Sequence, residues 1–251
     1  MFVAPIDSLT MKPFVLLATR PEDVPADEEY ALFLRYSGLD ERDLIRVRLE
    51  AEPMPRFDLD ELSGIFVGGG PFNASDPWKS AVQRRVEAEF AALLDEVVVR
   101  DFPFLGACYG IGTLGAHQGA VIDSTYREPV SVIEVDRTPE GRADPLLAGL
   151  PDRFTAFVGH KEAVSQLPAS ATLLARGEGC PVQMFRVGVN VYATQFHPEL
   201  DVEGITTRIH AYADHGYFAA DELELTLGAV RRLPVTHTGR ILSAFVERYA
   251  R

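Results

Sequence analysis

The chain has 251 residues, 47% hydrophobic and 24% charged, with a formal net charge of −13. That length can bury a substantial core, and the composition is that of a soluble globular protein. The acidic balance argues against a nucleic-acid backbone or an anionic membrane surface as partner, and no apolar run reaches the ~20 residues of a membrane span. Two cysteines make no disulfide framework, so a reducing cytoplasm is the expected compartment.

Residues 1–12 read as a loose extension, with residues 13–251 as one domain and no linker or internal repeat to divide it. Pro13 to Ala18 is nearly all apolar, the mark of a strand covered on both faces. Arg20 to Asp27 is polar and carries two prolines, and Tyr30, Leu32, Phe33, Leu34 and Tyr36 predict a helix stopped at Gly38. Leu44–Leu49 and Leu62–Val67 predict two more strands, the latter running into Gly68-Gly69-Gly70-Pro71. Trp78–Val99 is the longest helical pattern, with Val82, Val86, Phe90, Leu93 and Leu94 on one face. A buried strand from Pro103 to Ala107 comes next, then a helical segment to about Gly119. This order predicts an α/β fold with a mainly parallel sheet and helices on both faces. From Glu128 to Val191 the texture becomes short strands separated by turn signals, among them Pro139-Glu140-Gly141, a meander at one edge. Helical patterns return at Val202–His215, Tyr217–Leu227 and Gly239–Tyr249.

The stretch Gly106-Ala107-Cys108-Tyr109-Gly110 has the strand–turn–helix layout of a nucleophile elbow, with Cys in the place of Ser. Flanking glycines make room for a sharp turn, and the start of a helix favours thiolate over thiol. A thiol nucleophile needs a base, and the base needs an orienting acceptor. Of six histidines, His197 stands out because it ends an apolar strand and leads into Pro198-Glu199, which turns the chain and brings a carboxylate within reach. Both Cys108 and His197 fall beyond strand carboxyl ends, where active groups collect in open α/β sheets. Gly68–Gly70 lets backbone N–H groups approach a phosphate or an oxyanion; the phosphate-binding patterns Gly-x-Gly-x-x-Gly and Gly-Lys-Ser/Thr are absent. The N–H of Tyr109 stands next to the nucleophile as a second oxyanion donor. Cys180 has no base beside it in sequence and reads as structural; Cys/His spacing of the zinc kind is absent, and no metal is expected.

Gly-Gly-Pro after a strand, then Gly-Ala-Cys-Tyr-Gly, then Gln-Phe-His-Pro-Glu resembles the class I (triad) glutamine amidotransferases, among them the glutaminase part of GMP synthase and its stand-alone relatives. The resemblance implies a flavodoxin-like α/β domain with a small β edge. It implies a Cys–His–Glu triad, with Cys108 as nucleophile, His197 as base and acid, and Glu199 as orienter. Gly70 and Tyr109 would supply the oxyanion-hole N–H groups. Phe157–Val164 resembles the segment that holds the α-amino and α-carboxylate groups of glutamine, so Gly159, His160 and Glu162 are implied substrate contacts, and Gly69 and Gly112 are expected beside them.

The family usually carries Gln four residues after the nucleophile, where this chain has Gly112. His117 and Gln118, further along the same helix, read as packing or surface. The implied reaction is hydrolysis of a γ-glutamyl amide, either glutamine or a bulkier compound, through a Cys108 thioester and without a cofactor. With glutamine, the ammonia would pass to a partner synthetase. The alternatives are a γ-glutamyl peptidase acting without a partner and a non-catalytic binding relative. The resemblance thins after Leu200; residues 212–218 and the last helix are expected to cover the site or form a subunit contact.

Overall fold

A computed structural model describes residues 11–212 and 223–251. Its centre is a parallel half-sheet whose strands are β1 (Phe14–Ala18), β2 (Leu44–Arg48), β3 (Gly64–Val67), β4 (Phe104–Ala107) and β11 (Val191–Thr194). They lie in the order β2-β1-β3-β4-β11, and every neighbouring pair among them is parallel. The sheet then continues antiparallel through β10 (Met184–Val187), β9 (Ala171–Gly177), β6 (Glu128–Arg137) and β7 (Arg153–His160). This nine-stranded sheet with flanking helices is the α/β architecture that the strand–helix order predicts.

Period-2 alternation in the strands divides the core into two faces. Val15 and Leu17 of β1, Ile65 and Val67 of β3, and Phe104 of β4 pack under Val86, Phe90, Leu94 and Val97 of α2 (Ala81–Val99) and Leu114 of α3 (Tyr109–His117). Phe14, Leu16, Phe66, Leu105 and Tyr192 face the other way. They pack against Phe33 of α1 (Asp23–Ser37) and Ile241, Leu242 and Phe245 of α7 (Gly239–Tyr249). The last helix is therefore core rather than a cover for the site. A third cluster joins Phe157 and Leu200 to Ile205 and Ile209 of α5 (Val202–Ala211) and to Leu227 and Val230 of α6 (Leu223–Val230).

Several boundaries differ from the sequence expectations for local reasons. The first helix starts at Asp23, and Pro25 sits in its first turn, where a missing N–H breaks no intrahelical bond. Gly38 ends it at φ 77, where its N–H caps Leu34 O. The second helix starts at Ala81 rather than Trp78, because the Ser80 side chain caps Gln83 N; Trp78 stands 91% exposed. Pro139–Ala143 is a short helix, α4, capped by Thr138, and not a turn. A two-stranded sheet of β5 (Val121–Asp123) and β8 (Ala163–Gln166) was not expected from sequence. The helical pattern at 202–215 ends at Ala211 within the described residues; residues 213–222 lie outside them, as do residues 1–10 of the extension. Met11 and Lys12, by contrast, are tied down. Met11 packs on the second core face, and Lys12 N donates to Arg251 O at 2.6 Å. No described helix is long and apolar enough to cross a membrane.

Candidate active site

The site forms where the parallel strands end together. Val67 pairs with Gly106, and Ala107 pairs with Thr194, so the segments after β3, β4 and β11 leave the sheet side by side. This is the crevice beyond the carboxyl ends of the strands. Cys108 is the first residue beyond β4 and the N-cap of α3, with φ 51, one of only two non-glycine residues at positive φ among those described. Such a conformation costs of order 1–3 kcal/mol and persists only where the surroundings impose it. Here Cys108 N donates to Thr194 O at 2.8 Å, fixing the elbow to the strand that leads to His197. A Cβ on Gly106 would lie 2.8 Å from Gly110 Cα, so only glycine permits the tight return of the chain at that position.

His197 is held by its backbone, whose N–H donates to Phe157 O at 3.0 Å in an isolated bridge to β7. Its ring Nδ1 lies 2.8 Å from Glu199 Oε1, and it lines one cavity together with Cys108. Cys108, His197 and Glu199 are thus brought together as the sequence predicts. Burial favours the neutral imidazole, but the charges of Glu199 and Cys108, with their hydrogen bonds, outweigh it and push the His197 pKa up to about 9. Glu199 is fully buried. Burial would favour its protonated form, yet His197 and Arg208 hold it ionised well below the usual carboxylate range.

Sequence reasoning missed the charges behind Glu199. Arg208, on α5, donates from Nη2 to Glu199 Oε1 at 3.0 Å and to Glu29 Oε1 at 3.3 Å. Its Nη1 is 3.1 Å from His197 Nδ1. A ring nitrogen that donates to Glu199 cannot also accept from Arg208, so this is an approach of two donors held together by the carboxylate both serve. Glu29, fully buried on α1, also accepts from Arg20 Nε at 2.9 Å and from Gly69 N at 3.2 Å. Arg20 in turn donates to the Tyr212 hydroxyl at 3.1 Å. Nothing local marks Glu29 or Arg208: each sits in a polar stretch of helix that resembles a solvated face.

The glycine loop after β3 is packed against this network. A Cβ on Gly68 would lie 2.4 Å from Glu29 Oε2, and one on Gly69 would lie 2.5 Å from Arg20 Nη2 and 2.7 Å from His197 Cε1. A Cβ on Gly70 would meet Thr19 Oγ1 at 2.0 Å. Three side-chain-free residues thus bring the backbone against the triad. Tyr109 opens α3, and the first N–H groups of a helix have no partner inside it.

Two cavities open at the nucleophile, and Gly70, Cys108 and Gly159 line both. One, with about 390 Å³ of space, mouth included, is lined also by Gly112, His160, Lys161, Glu162 and Gln195. The other, with about 480 Å³, contains His197 and an apolar wall that includes Leu200, Ile205 and Ile209. Among the implied substrate contacts, Gly112, Gly159, His160 and Glu162 line the first cavity, whereas Gly69 lies behind it against Arg20 and His197. Glu162 accepts from Ala74 N at 2.6 Å and Ser75 N at 2.7 Å, so its carboxylate ties down the loop over the cavity. Gln195 is a further lining residue that sequence reasoning missed. It is 2% exposed, and its Oε1 has no hydrogen-bond partner among the described residues. The signal available was a lone amide at the end of an apolar strand.

A second Cys/His/Glu group shares no residue with the first, although its His160 lines a cavity that opens at Cys108. Ligand atoms of Glu128, His160 and Cys180 all lie within 4.8 Å of one another, although the sequence gives Cys180 no neighbouring base. His160 is committed on both sides, with Nδ1 2.9 Å from Glu162 O and Nε2 2.9 Å from Glu128 Oε2, which also accepts from Gln183 Nε2 at 2.7 Å. Burial pushes the Cys180 thiol up to about 12, so it stays protonated and inert at neutral pH. The group packs the base of the substrate-side loop and reads as structural. Among the described residues, the remaining histidines line neither of these cavities: His117 pairs with Asp95 at 3.0 Å, and His210 and His237 are exposed. His215 lies outside the described residues.

The chain is similar in sequence and in fold to known proteins. The family model for glutamine amidotransferase class-I matches residues 40–217. A glutamine-hydrolyzing GMP synthase subunit from Thermococcus kodakarensis is 27% identical over 184 residues, 73% of this chain and 83% of that protein. The glutamine-hydrolyzing GMP synthase of Aeropyrum pernix is 31% identical over 173 residues, 66% of this chain but only 31% of that longer protein. A crystal structure of a glutamine amidotransferase from Thermotoga maritima superposes with a TM-score of 0.75 at 21% identity, covering 95% of this chain and 98% of that one. One from Methylobacillus flagellatus gives 0.69 at 16% identity, covering 96% and 97%; both are likenesses of fold. The match over residues 40–217 means that the chain belongs to the class-I glutamine amidotransferase family.

Proposed function

We propose that the protein hydrolyses a γ-glutamyl amide through a thioester on Cys108. The observation that carries this reading is that Cys108, on a strained elbow and lining both cavities, shares one of them with His197, whose ring meets Glu199 at 2.8 Å. His197 takes the thiol proton, and Cys108 Sγ attacks the amide carbon. The tetrahedral oxyanion is met by the N–H groups of Gly70 and Tyr109, each such donor contributing about 3 kcal/mol. His197 then protonates the leaving amine and afterwards activates water for deacylation. Glu199 keeps the imidazole oriented and stabilises its charged form. The γ-glutamyl arm lies in the cavity of Gly112, Gly159, His160 and Glu162, where Glu162 and Gln195 Oε1, which has no partner among the described residues, accept from its α-ammonium group. No step needs a cofactor.

When the substrate is glutamine, the released ammonia serves a partner synthetase in the cytoplasm, in keeping with relatives named as glutamine-hydrolyzing GMP synthase subunits. Residues 13–251 act as one amidotransferase-like domain. Mass analysis of the Cys108 peptide after quenching with a panel of γ-glutamyl compounds tests the reading. The expected result is a γ-glutamyl adduct on Cys108 and none on Cys180, with turnover lost in Cys108→Ala. An adduct confined to Cys180, or full turnover by Cys108→Ala, overturns it.

A further inference from the structure

The two cavities are not equivalent, because His197 lines only one of them. The group that leaves must take its proton from His197, so the leaving amine lies in the cavity that His197 shares with Cys108. The acyl arm then occupies the other. Ammonia needs only the room of one water molecule. The cavity on the His197 side has room for several, and its wall is apolar: Val130, Val158, Leu200, Ile205 and Ile209. Ile205 and Ile209 are i and i+4 on one face of α5, which presents them together.

The charges at this wall do not make it an anion site. Arg20 and Arg208 are each paired with Glu29, and Arg208 also with Glu199, so two buried guanidiniums face two buried carboxylates. A leaving group bearing a carboxylate finds no uncompensated cation among these four residues. An uncharged hydrocarbon finds a preformed wall.

From this we infer that the preferred substrates are γ-glutamyl N-alkyl- or N-aralkylamides, which release an apolar amine rather than ammonia. The inference rests on the γ-glutamyl thioester reading and names its leaving group. The balance is that of an amide hydrolysis. Cys108 Sγ bonds to the γ-carbonyl carbon, the C–N bond breaks, and the His197 proton goes to nitrogen as the free amine departs. Water then adds to the thioester carbon, giving one proton to His197, and the C–S bond breaks to return the thiol and free glutamate.

The test is kcat/KM of the full chain on glutamine and on γ-glutamyl methyl-, propyl-, butyl-, hexyl- and benzylamide. Each methylene buried in an apolar pocket is expected to raise kcat/KM about fourfold until the wall is covered. Val130, partly exposed at the rim, tolerates change better than the buried isoleucines. Val130→Phe should lower the hexylamide-to-methylamide ratio at least tenfold, and Val130→Ala should raise it. Glutamine as the best substrate with a flat or falling alkyl series, or a ratio that neither variant moves, overturns the leaving-group inference while leaving the thioester reading in place. No turnover of any γ-glutamyl compound and no adduct on Cys108 overturns both.

Discussion

Glu29 and Glu199 share one guanidinium: Arg208 Nη2 lies 3.3 Å from Glu29 Oε1 and 3.0 Å from Glu199 Oε1. The same Glu29 oxygen accepts from Gly69 N in the loop that carries the proposed oxyanion donor. The carboxylate behind the imidazole and the backbone beside the nucleophile are therefore anchored to one buried cluster. Charges out of water are costly unless paired and hydrogen-bonded, and in this cluster each partner compensates another.

This predicts strong coupling between Glu29 and Arg208. Arg208→Met leaves two buried carboxylates with one guanidinium and should cost about 3 kcal/mol of stability. Glu29→Gln should cost a similar amount, since it strands a cation and frees the Gly69 loop. The double variant should cost less than the sum by at least about 1 kcal/mol, because the Glu29–Arg208 contact is then lost once rather than counted twice. Denaturant melts of the four proteins measure this, and strict additivity would show that the two side chains do not form a unit. A kinetic readout separates positioning from mere stability. Below its melting range, Glu29→Gln should lower kcat more than it raises KM.

The pH dependence derives from His197. Its pKa is raised from the ordinary value to about 9, so the imidazolium that protonates the leaving amine persists up to that pH and is lost above it. The kcat/KM profile should fall as pH rises through about 9. Glu199 stays ionised well below the usual carboxylate range and so contributes no acid limb near neutrality. Glu199→Gln removes a principal cause that raises the His197 pKa and leaves burial, which lowers it. The alkaline limb should then move to lower pH. An unmoved limb in Glu199→Gln would assign the titration to another group.

The triad was legible in the sequence because its parts are short contiguous motifs whose geometry is local: a cysteine between glycines at a strand end, and His197-Pro198-Glu199 at another. The sheet was legible for a similar reason, since Phe14–Ala18 and Gly64–Val67 are apolar at every position in the way only doubly covered strands are. The hidden parts depend on partners far along the chain. Glu29 comes after Asp27 and Glu28, and Arg208 after Thr206 and Thr207, so both look solvated until α1 and α5 pack together. Strands β5 and β8 are too short for a period to emerge, and only their mutual pairing makes them strands. Cys180 likewise acquires His160 and Glu128 as neighbours through tertiary folding alone.

Gly112 bears on substrate holding through Glu162. A Cβ at Gly112 would lie 3.2 Å from Glu162 Oε1, the oxygen that accepts from Ala74 N at 2.6 Å. The carboxylate thus stands over the glycine, in the room a glutamine side chain would need, and secures the loop at 73–76 from that position. Gly112→Gln is expected to push Glu162 off Ala74 and Ser75. Loss of a charge-assisted hydrogen bond is worth about 1.5–3 kcal/mol, so KM for a γ-glutamyl amide should rise at least about tenfold. Because Gly112 takes no part in the contacts that join Cys108, His197 and Glu199, kcat should change much less. Glu162→Gln, which keeps the shape and removes the charge, should raise KM in the same direction without added crowding. A fall in KM for Gly112→Gln would mean instead that the position is an open socket for a substrate-holding amide, and that Glu162 yields to it without loss.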